Sequence, residues 1–522
     1  MPPERVRAAA PDVAVVCPAS FRDALRPWIE YRREQGHEVA VLPTGKTALE
    51  VRQQIRIIAE TGRLRYVLLV GDAPAANERD STHRVPAPQV NATINVRFGS
   101  EPTIASDNWY ADLDDDRAPD VAIGRLTCDS SDELAKQIQK IIRYETNRDF
   151  GLWRREIRFV AGVGGFSPIT DALIESVSRQ LIVGALPASY CCRLTSANWR
   201  SPFCPPPPAF SRVIQSGLND GCLFWVYMGH GHRQQLDCVR AGGEQHAILD
   251  TREIANLKCG SANPIAILLA CYVGAFDGPQ DSLAETMLRT EEGPVAVLSG
   301  SRVTMPYGMA VFAAELADEF VGASPKTLGD LLLAAKRRTA DPEAGGAQRT
   351  LLNFLARTAS PNHDELDEER MEHVALFNLM GDPLLRLRHP LSVELAKPGK
   401  ATPGAEIRLQ GNSPLAGTAT FELAARRGQT PTQVNRHAYS NDVQALARMY
   451  EAYQKANDAC VSRTVVPLPS GAFSVALSVP PGVSGVYDVR VFVRGTDAYA
   501  QGSTSLNVTP PQPARPAPAA QP

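Results

Sequence analysis

The chain has 522 residues, 44% of them hydrophobic, and its 57 acidic and 54 basic side chains leave a formal net charge of −3. This near balance excludes functions that depend on a strongly basic surface, such as non-specific attraction to nucleic acid or to an anionic membrane. The ten cysteines are scattered and include no CxxC pair, which excludes a zinc-finger or a disulfide-stapled domain.

Residues 1–150 alternate strands and helices. Three apolar runs with strand character alternate with two segments of helical spacing, at residues 12–18, 27–36, 37–43, 47–61 and 65–73. This βαβαβ order predicts a parallel, doubly wound sheet. An acidic loop at 106–125 then leads into a short strand, and an amphipathic helix follows with Ser130 or Ser131 as its N-cap.

Residues 151–389 form a second α/β series. Its strands are predicted at 155–165, 221–232, 263–277 and 293–301, and its helices at 169–183, 309–321 and 326–340. The hydropathy pattern changes after His389, where segments of alternating apolar and polar residues are separated by Gly and Pro. We therefore predict an antiparallel β-sandwich at 390–508, interrupted by a helix near 440–456 and followed by a disordered, proline-rich tail at 509–522.

The amino-terminal segment does not have the pattern of a secretion signal, because its apolar run at 13–17 is too short. No run reaches the roughly 18 uninterrupted apolar residues of a membrane span. These features favour a cytoplasmic protein without membrane contact, and a secreted protein is the alternative if the natural start lies upstream.

A histidine and a cysteine follow two of the predicted strands directly. The run at 222–228 leads into Gly229-His230-Gly231, and the run at 265–270 leads into Cys271. Ligand sites in open α/β sheets lie beyond the carboxyl ends of the strands, so these two side chains are expected to meet. An imidazole can take the proton of a thiol and return it to a leaving amine. Each residue alone has a simpler interpretation, a buried core cysteine and a glycine-flanked turn.

The segments around this pair resemble the gingipain-type peptidases of the caspase–legumain clan (peptidase family C25). The resemblance rests on YMGHGH at 227–232 and LLACYVGAFD at 268–277, and it extends in the same order to RYVLLVGDA, SDNWYADLDDDRAPDVAIGRL, KIIRYE and FNLMGDPLLRL. It covers residues 10–508. It implies a caspase-like, mostly parallel sheet in two subdomains, 1–150 and 151–389, followed by an immunoglobulin-like β-sandwich.

The resemblance also implies roles for particular residues. Cys271 becomes the nucleophile of an acyl-enzyme mechanism and His230 its general acid/base, with the N–H groups of Gly231 and Cys271 as the oxyanion hole. Asp171 lies in the stretch where the family has a carboxylate that orients the histidine. Asp171 is alternatively a first-turn helix acid, and Glu175 is a second choice for the orienting role.

A substrate pocket is expected beside the pair, and its predicted lining residues are Met228, Leu269, Arg302, Thr304 and Met305. None of them is an acid placed to demand Arg or Lys at the P1 position. His232 is not expected to bind a metal, because no third ligand accompanies it. Cys191 and Cys192 are interpreted as partly buried thiols.

The acidic loop offers Asp112, Asp114 and Asp116 at alternating positions, with Asp107 and Asp120 nearby. Carboxylate oxygens at such spacing suit Ca²⁺, and the family resemblance implies structural calcium, although Arg117 replaces the glycine of an EF-hand. The alternative is a solvated acidic turn. Asp72 and Asp382, which each follow a glycine, are interpreted as turn residues.

The functional hypothesis is a cysteine endopeptidase that acts on proteins or peptides and requires no cofactor for its chemistry. The alternative is a catalytically inactive caspase-like scaffold that binds a protein partner through its β-sandwich. A general α/β hydrolase is excluded because the sequence has no GxSxG nucleophile elbow.

Overall fold

The computed structural model describes residues 10–74, 83–164, 184–429 and 439–510. Strands of the α/β part are β1 Val13–Val16, β2 Val39–Leu42, β3 Tyr66–Val70, β4 Gln89–Asn91, β5 Thr103–Ala105, β6 Ala122–Leu126, β7 Glu156–Ala161, β8 Cys191–Ser196, β9 Phe224–Met228, β10 Gly231–His232, β11 Gln235–Leu236, β12 Cys238–Ala241, β13 Glu244–Ala247, β14 Ile265–Leu269, β15 Ala296–Gly300 and β16 Phe377–Met380. Its helices are α1 Arg22–Glu34, α2 Ala48–Ala59, α3 Asn108–Ala111, α4 Ser131–Thr146, α5 Phe210–Asn219, α6 Thr251–Ile254, α7 Leu283–Arg289, α8 Pro306–Gly322, α9 Leu328–Ala340, α10 Ala347–Ala359 and α11 Leu366–Leu376.

Ten of these strands form one sheet, in the order β2-β1-β3-β6-β16-β15-β14-β9-β7-β8. Strand β16 is parallel to β6 and antiparallel to β15, whereas all other neighbours in the sheet are parallel. The sheet therefore consists of two parallel halves that run in opposite directions. The strands predicted for 1–150 and for 151–389 lie in this one continuous sheet.

The central strands are buried along their whole length, because helices cover both faces of the sheet. One hydrophobic cluster joins the two halves and includes Val15, Leu68, Val226, Leu268 and Leu298. Continuous apolar runs at these strands are what a doubly covered parallel sheet requires, and they account for the agreement between sequence pattern and structure.

The carboxy-terminal part is a β-sandwich. Its strands are β17 Leu391–Ser392, β18 Glu394–Leu395, β19 Glu406–Ser413, β20 Gly417–Ala425, β21 Cys460–Leu468, β22 Gly471–Ser478, β23 Gly485–Arg494 and β24 Tyr499–Val508. They form a five-stranded sheet, β17-β24-β23-β20-β21, and a three-stranded sheet, β18-β19-β22. Leu409, Phe421, Leu477 and Val491 pack between them. The predicted interrupting helix is α12, Val443–Asn457, which Asp442 caps through a hydrogen bond from the Ala445 N–H.

The helix α12 holds the sandwich against the outermost strand of the large sheet. The side-chain amide of Asn457 accepts from the Leu194 N–H at 2.8 Å and donates to the Leu194 carbonyl at 2.9 Å. The hydroxyl groups of Tyr453 and Thr195 are 2.9 Å apart. The exposed edge of β8 is thus partly satisfied by side chains from the sandwich.

The described segments contain no helix that is long and apolar enough to cross a bilayer. The predicted tail falls almost wholly at 511–522, outside the described residues.

Candidate active site

His230 and Cys271 follow neighbouring strands at equivalent positions. In the parallel ladder between β9 and β14, Met228 is the register partner of Leu269, and the Gly229 N–H donates to the Leu269 carbonyl at 3.3 Å. His230 and Cys271 each come two residues after this last pair. The register therefore places the two residues at the same edge of the sheet, as their sequence positions predicted.

Gly231 allows the histidine turn to lie directly against the cysteine turn. A Cβ atom at Gly231 would be 2.8 Å from the Cys271 carbonyl oxygen and 2.6 Å from Val273 Cγ1. Only glycine permits such an approach without displacement of the neighbouring main chain. The Tyr227 hydroxyl donates to the His230 carbonyl at 2.7 Å and fixes the same turn from behind.

The sulfur of Cys271 is half-buried and contacts Thr304, a residue of the loop between β15 and α8. The Thr304 N–H lies 3.3 Å from Sγ and its hydroxyl oxygen 3.5 Å from Sγ. The N–H can only donate to the sulfur, whereas either the hydroxyl or the thiol can be the donor in the second contact. Thr304 was predicted only as a pocket residue, and its contact with the sulfur had no signal in the sequence.

Tyr272 adopts a left-handed conformation with φ of 61° directly after Cys271. Such a conformation is costly for a residue with a side chain and persists where the surroundings enforce it. The Tyr272 N–H donates to the Arg302 carbonyl at 3.1 Å, and its hydroxyl donates to Glu101 at 2.8 Å. The turn that carries the thiol is thereby held from two sides.

The five predicted pocket residues lie around this edge, and all of them are buried. Arg302 is 4% exposed, and its guanidinium makes two hydrogen bonds with Asp277, at 2.9 and 2.6 Å. Burial alone would raise the pKa of Asp277, but the hydrogen bonds and charge of Arg302 hold it below its ordinary value. The Arg302 charge is thus balanced within the protein. Met228 and Leu269 end their strands as buried residues.

Met305 is buried next to a neutral histidine. Its N–H donates to His373 Nε2 at 2.9 Å, while His373 Nδ1 lies 2.6 Å from the Glu369 carbonyl. Nε2 must therefore be the acceptor and Nδ1 the protonated nitrogen. Burial lowers the pKa of His373 to about 4. His373 fixes the loop that carries Thr304 and takes no charge at neutral pH.

The amino-terminal half of the chain contributes to this edge through the hairpin of β4 and β5. Glu101 from this hairpin accepts from Tyr272, Gln89 donates to Asp277 at 3.1 Å, and the Thr103 carbonyl accepts from Arg302 at 3.0 Å. The hairpin lacks a clear apolar pattern, and its partners are far away in sequence, so we did not predict it.

Asp171 and Glu175, the two candidates for a histidine-orienting carboxylate, lie outside the described residues.

Three of the predicted calcium ligands come together. Carboxylate oxygens of Asp112, Asp114 and Asp116 lie within 4.8 Å of one another. The loop is shaped by hydrogen bonds to Asp112 from the Asp115 N–H at 2.8 Å and the Arg117 N–H at 3.3 Å. The donor set is one that Ca²⁺ accepts. Arg52 also lies 3.2 Å from Asp112 and supplies part of the positive charge such a cluster needs.

Asp107 stands apart from this cluster. Its carboxylate pairs with the buried guanidinium of Arg125, at 2.6 and 2.8 Å. Asp382, interpreted from sequence as a turn residue, accepts from Arg32 at 2.6 Å, and Arg32 also donates to Glu145 at 2.8 Å. Both aspartates are members of buried ion pairs.

A second convergence of acids lies near the carboxyl ends of β3 and β6, where Asp72, Asp129 and Asp281 approach one another. The guanidinium of Arg289 is 3.0 Å from Asp72, 2.7 Å from Asp129 and 2.9 Å from Asp281. Arg84 also pairs with Asp72 and Asp129, so two arginines supply positive charge among these acids and the group forms an ion-pair centre.

Comparison with known proteins gives consistent results. The model of the family described as "Peptidase family C25" matches residues 7–388. Gingipain R2 of Porphyromonas gingivalis is 24% identical over 301 residues, a match that covers 55% of this chain and 36% of that protein. Lys-gingipain of the same organism is 21% identical over 323 residues, which cover 60% of this chain and 17% of that protein. The chain thus spans well under half the length of these curated relatives.

Solved structures show the same architecture. The crystal structure of the Arg-specific cysteine proteinase gingipain R aligns with a TM-score of 0.52 at 17% identity, and the match covers 96% of this chain and 98% of that one. The complex of the Porphyromonas gingivalis RgpB pro- and mature domains aligns with a TM-score of 0.53 at 16% identity, over 95% of this chain and 100% of that one. The predicted fold class, a caspase-like sheet in two parts followed by an immunoglobulin-like sandwich, is confirmed.

Proposed function

Because the chain belongs to peptidase family C25, whose model covers residues 7–388, we propose that it is a cysteine endopeptidase with Cys271 as nucleophile and His230 as general acid/base. The observation that carries this proposal is the register of β9 and β14. Because of this register, both strands end at the same edge of the sheet, directly before His230 and Cys271. The substrate would be a protein or a peptide.

The reaction begins with transfer of the Cys271 thiol proton to His230 and attack of Sγ on the scissile carbonyl carbon. The carbonyl oxygen then carries negative charge, and the N–H groups of Gly231 and Cys271 are proposed to donate to it. The tetrahedral intermediate collapses, the C–N bond breaks, and His230 passes its proton to the leaving amine. A water molecule deprotonated by His230 then attacks the thioester carbonyl carbon. The C–S bond breaks, the carboxylic acid product leaves, and His230 returns the proton to the sulfur.

Thr304 supports the first step in this proposal. Its N–H and hydroxyl lie at the sulfur, where they hold the sulfur in place for proton transfer to His230 and attack on the substrate. The strained turn at Tyr272 keeps Sγ at the edge of the sheet, because two hydrogen bonds from different elements hold it. The sulfur is thereby positioned for attack before binding.

The substrate pocket is proposed beside the pair, with Met228, Leu269, Arg302, Thr304 and Met305 around it. Asp171 is proposed as the carboxylate that orients His230. The charge of Arg302 is already balanced by Asp277, so we propose that Arg302 shapes the pocket and does not bind an acidic P1 side chain.

The proposal is tested with a peptide-like electrophile that alkylates cysteine, followed by mapping of the labelled residue by mass spectrometry. The wild-type protein should be labelled at Cys271 and should cleave members of a peptide library. Cys271→Ala should lose both the label and the cleavage, with an unchanged circular dichroism spectrum.

Cys238→Ala is the matched control, because Cys238 is another half-buried free cysteine. A wild-type protein that neither cleaves any library peptide nor reacts faster at Cys271 than at Cys238 would favour the inactive scaffold instead.

A further inference from the structure

Thr304 lies between two residues that are each held by a side chain from another element. The Val303 carbonyl accepts a hydrogen bond from the side-chain amide of Asn95 at 3.2 Å. On the other side, the Met305 N–H donates to His373 Nε2 at 2.9 Å. The main chain of Thr304, whose N–H lies at the sulfur of the proposed nucleophile, is therefore fixed from both directions by residues that are distant in the sequence.

The segment that carries Asn95 is held by Glu372, the residue before His373 on helix α11. The carboxylate of Glu372 is buried, with 1% exposure, and accepts hydrogen bonds from three successive main-chain N–H groups. These belong to Thr93, to Ile94 at 2.6 Å and to Asn95 at 3.0 Å. Hydrogen bonds to an ionised acceptor are stronger than those between neutral groups. One carboxylate thus orders the main chain from which the Asn95 side chain projects.

Asn95 makes few other contacts with its side chain. The residue is fully buried, and its amide nitrogen donates to the Val303 carbonyl. Its Oδ1 atom has no hydrogen-bond partner among the residues that the structure describes. A buried polar atom without a partner is destabilising. Packing alone therefore does not account for an asparagine at this place, whereas the bond to Val303 does.

Helix α11 also holds the first turn of helix α8, which continues the chain after Met305. The Gly308 N–H donates to Glu369 at 2.9 Å. A Cβ atom at Gly308 would overlap the ring of His373, so the two helices are in direct contact there. One face of α11 therefore supports the loop of Thr304 through α8, through His373 and, by way of Asn95, through Glu372.

We propose that Glu372 is a positioning residue of the peptidase reaction, which holds Asn95 against Val303 and so keeps Thr304 at the Cys271 sulfur. The proposal rests on the function assigned to Cys271 above. Asn95 lies between β4 and β5, in the amino-terminal half of the sheet. This half thereby takes part in arranging the nucleophile, in addition to completing the hydrophobic core.

Glu372→Gln replaces one acceptor oxygen by an amino group, which cannot accept a hydrogen bond from a main-chain N–H. The variant should lower kcat for a peptide substrate about tenfold or more, with a smaller change in KM, because a displacement of about 1 Å can cost about a hundredfold in rate. Asn95→Ala removes only the bond to Val303, leaves the main-chain N–H groups to Glu372, and should lower kcat in the same direction.

Glu315→Gln is the matched control. Glu315 is equally buried, with 2% exposure, and its carboxylate accepts from Arg338 at 2.6 Å and from Arg349 at 2.9 Å. It lies nine residues after the start of α8 at Pro306, which is about 14 Å along the helix. This variant should lower the melting temperature and retain kcat.

A second measurement does not depend on peptide cleavage. Iodoacetamide labelling of Cys271 at pH 7 is compared with that of Cys238 in the same sample by mass spectrometry. Glu372→Gln and Asn95→Ala should each lower this ratio about fivefold, the effect of losing one hydrogen bond, because the Thr304 N–H is no longer held at the sulfur. Glu315→Gln should leave the ratio unchanged.

The proposal is overturned if the folded Glu372→Gln and Asn95→Ala proteins match the Glu315→Gln control in kcat and in labelling ratio. If Glu372→Gln does not fold, Asn95→Ala decides by the same two measurements. A wild-type protein that cleaves no peptide contradicts the peptidase assignment instead, and the labelling ratio then decides whether Glu372 positions the loop.

Discussion

The main-chain N–H of Thr304 points at Cys271 Sγ across 3.3 Å, and the hydroxyl of the same residue lies 3.5 Å from that atom. The two residues come from different strand-end loops, one after β14 and one after β15. The sulfur is therefore held by a neighbouring loop as well as by its own turn.

Thr304→Val should slow the alkylation of Cys271 by iodoacetamide at pH 7 about fivefold. The variant keeps the N–H but loses the hydroxyl, and a hydrogen bond of this kind contributes about 1 kcal/mol. Thr304→Ser keeps the hydroxyl and should react at nearly the wild-type rate. The measurement is independent of peptide cleavage, and equal rates in all three proteins would show that the hydroxyl does not act on the sulfur.

Asp171→Asn should lower kcat far less than His230→Ala does. The proposed role of His230 moves protons in both half-reactions, and such groups contribute about 10² to 10⁴ in rate. Asp171 could only orient the imidazole, and asparagine retains one acceptor oxygen. Both variants are compared on one peptide substrate. If Asp171→Asn is as fast as the wild type, Asp171 is a helix-start acid, and Glu175→Gln becomes the next variant to measure.

Calcium should raise the melting temperature through the cluster of Asp112, Asp114 and Asp116. A ligand that binds only the native state adds about 2.7 kcal/mol at a hundredfold excess over its Kd. Asp114→Asn should reduce this shift, whereas Asp364→Asn should retain it, because Asp364 is a fully separate acid with a highly exposed side chain. An identical melting curve with calcium and with chelator would identify the cluster as a solvated turn.

Acid should destabilise the protein in part through His373. Burial lowers its pKa to about 4 in the folded chain, against about 6.5 in an unfolded chain. Between these two pH values the unfolded state binds a proton that the native state does not. The free energy of unfolding is therefore undiminished by His373 above about pH 6.5 and decreases as the pH falls toward 4. The loss approaches about 3 kcal/mol, from about 1.4 kcal/mol per pKa unit.

Urea unfolding at pH 5, 6 and 7 measures this effect. The free energy of unfolding should fall less steeply with decreasing pH in His373→Gln than in the wild type, even if the variant is less stable at pH 7. Parallel pH profiles for the two proteins would mean that His373 is not the group that titrates.

The sequence was informative where local pattern and long-range structure agree. Parallel strands end at a common edge, so the apolar runs before His230 and Cys271 were enough to predict that the two residues follow strands that end at the same edge of one sheet. The edge strand β8, Cys191–Ser196, was not predicted. Its CCRLTS sequence has no continuous apolar run, and its pairing depends on β7 on one side and on a distant helix on the other.

Other differences arose because tertiary contacts overrode local signals. Helix α1 was expected to begin near Pro27, but it begins at Arg22 and includes that proline. Its buried face of Leu25, Trp28 and Arg32, with the Arg32–Glu145 ion pair, stabilises the additional turn. A tertiary contact also determines the role of Asp107, because its ion pair with Arg125 is not indicated by its position in the acidic loop.

The amide of Asn457 also has a consequence for the solubility of the chain. The Asn457 side chain forms hydrogen bonds with both the N–H and the carbonyl of Leu194. These are main-chain groups with which an eleventh strand would otherwise pair. An uncovered edge strand is a template for strand addition between molecules, and natural proteins block such edges to avoid aggregation. The sandwich helix therefore protects the β8 edge of the large sheet against strand addition, and an α/β part cut free of residues 390–510 would expose this edge as a place where amyloid-like stacking can start.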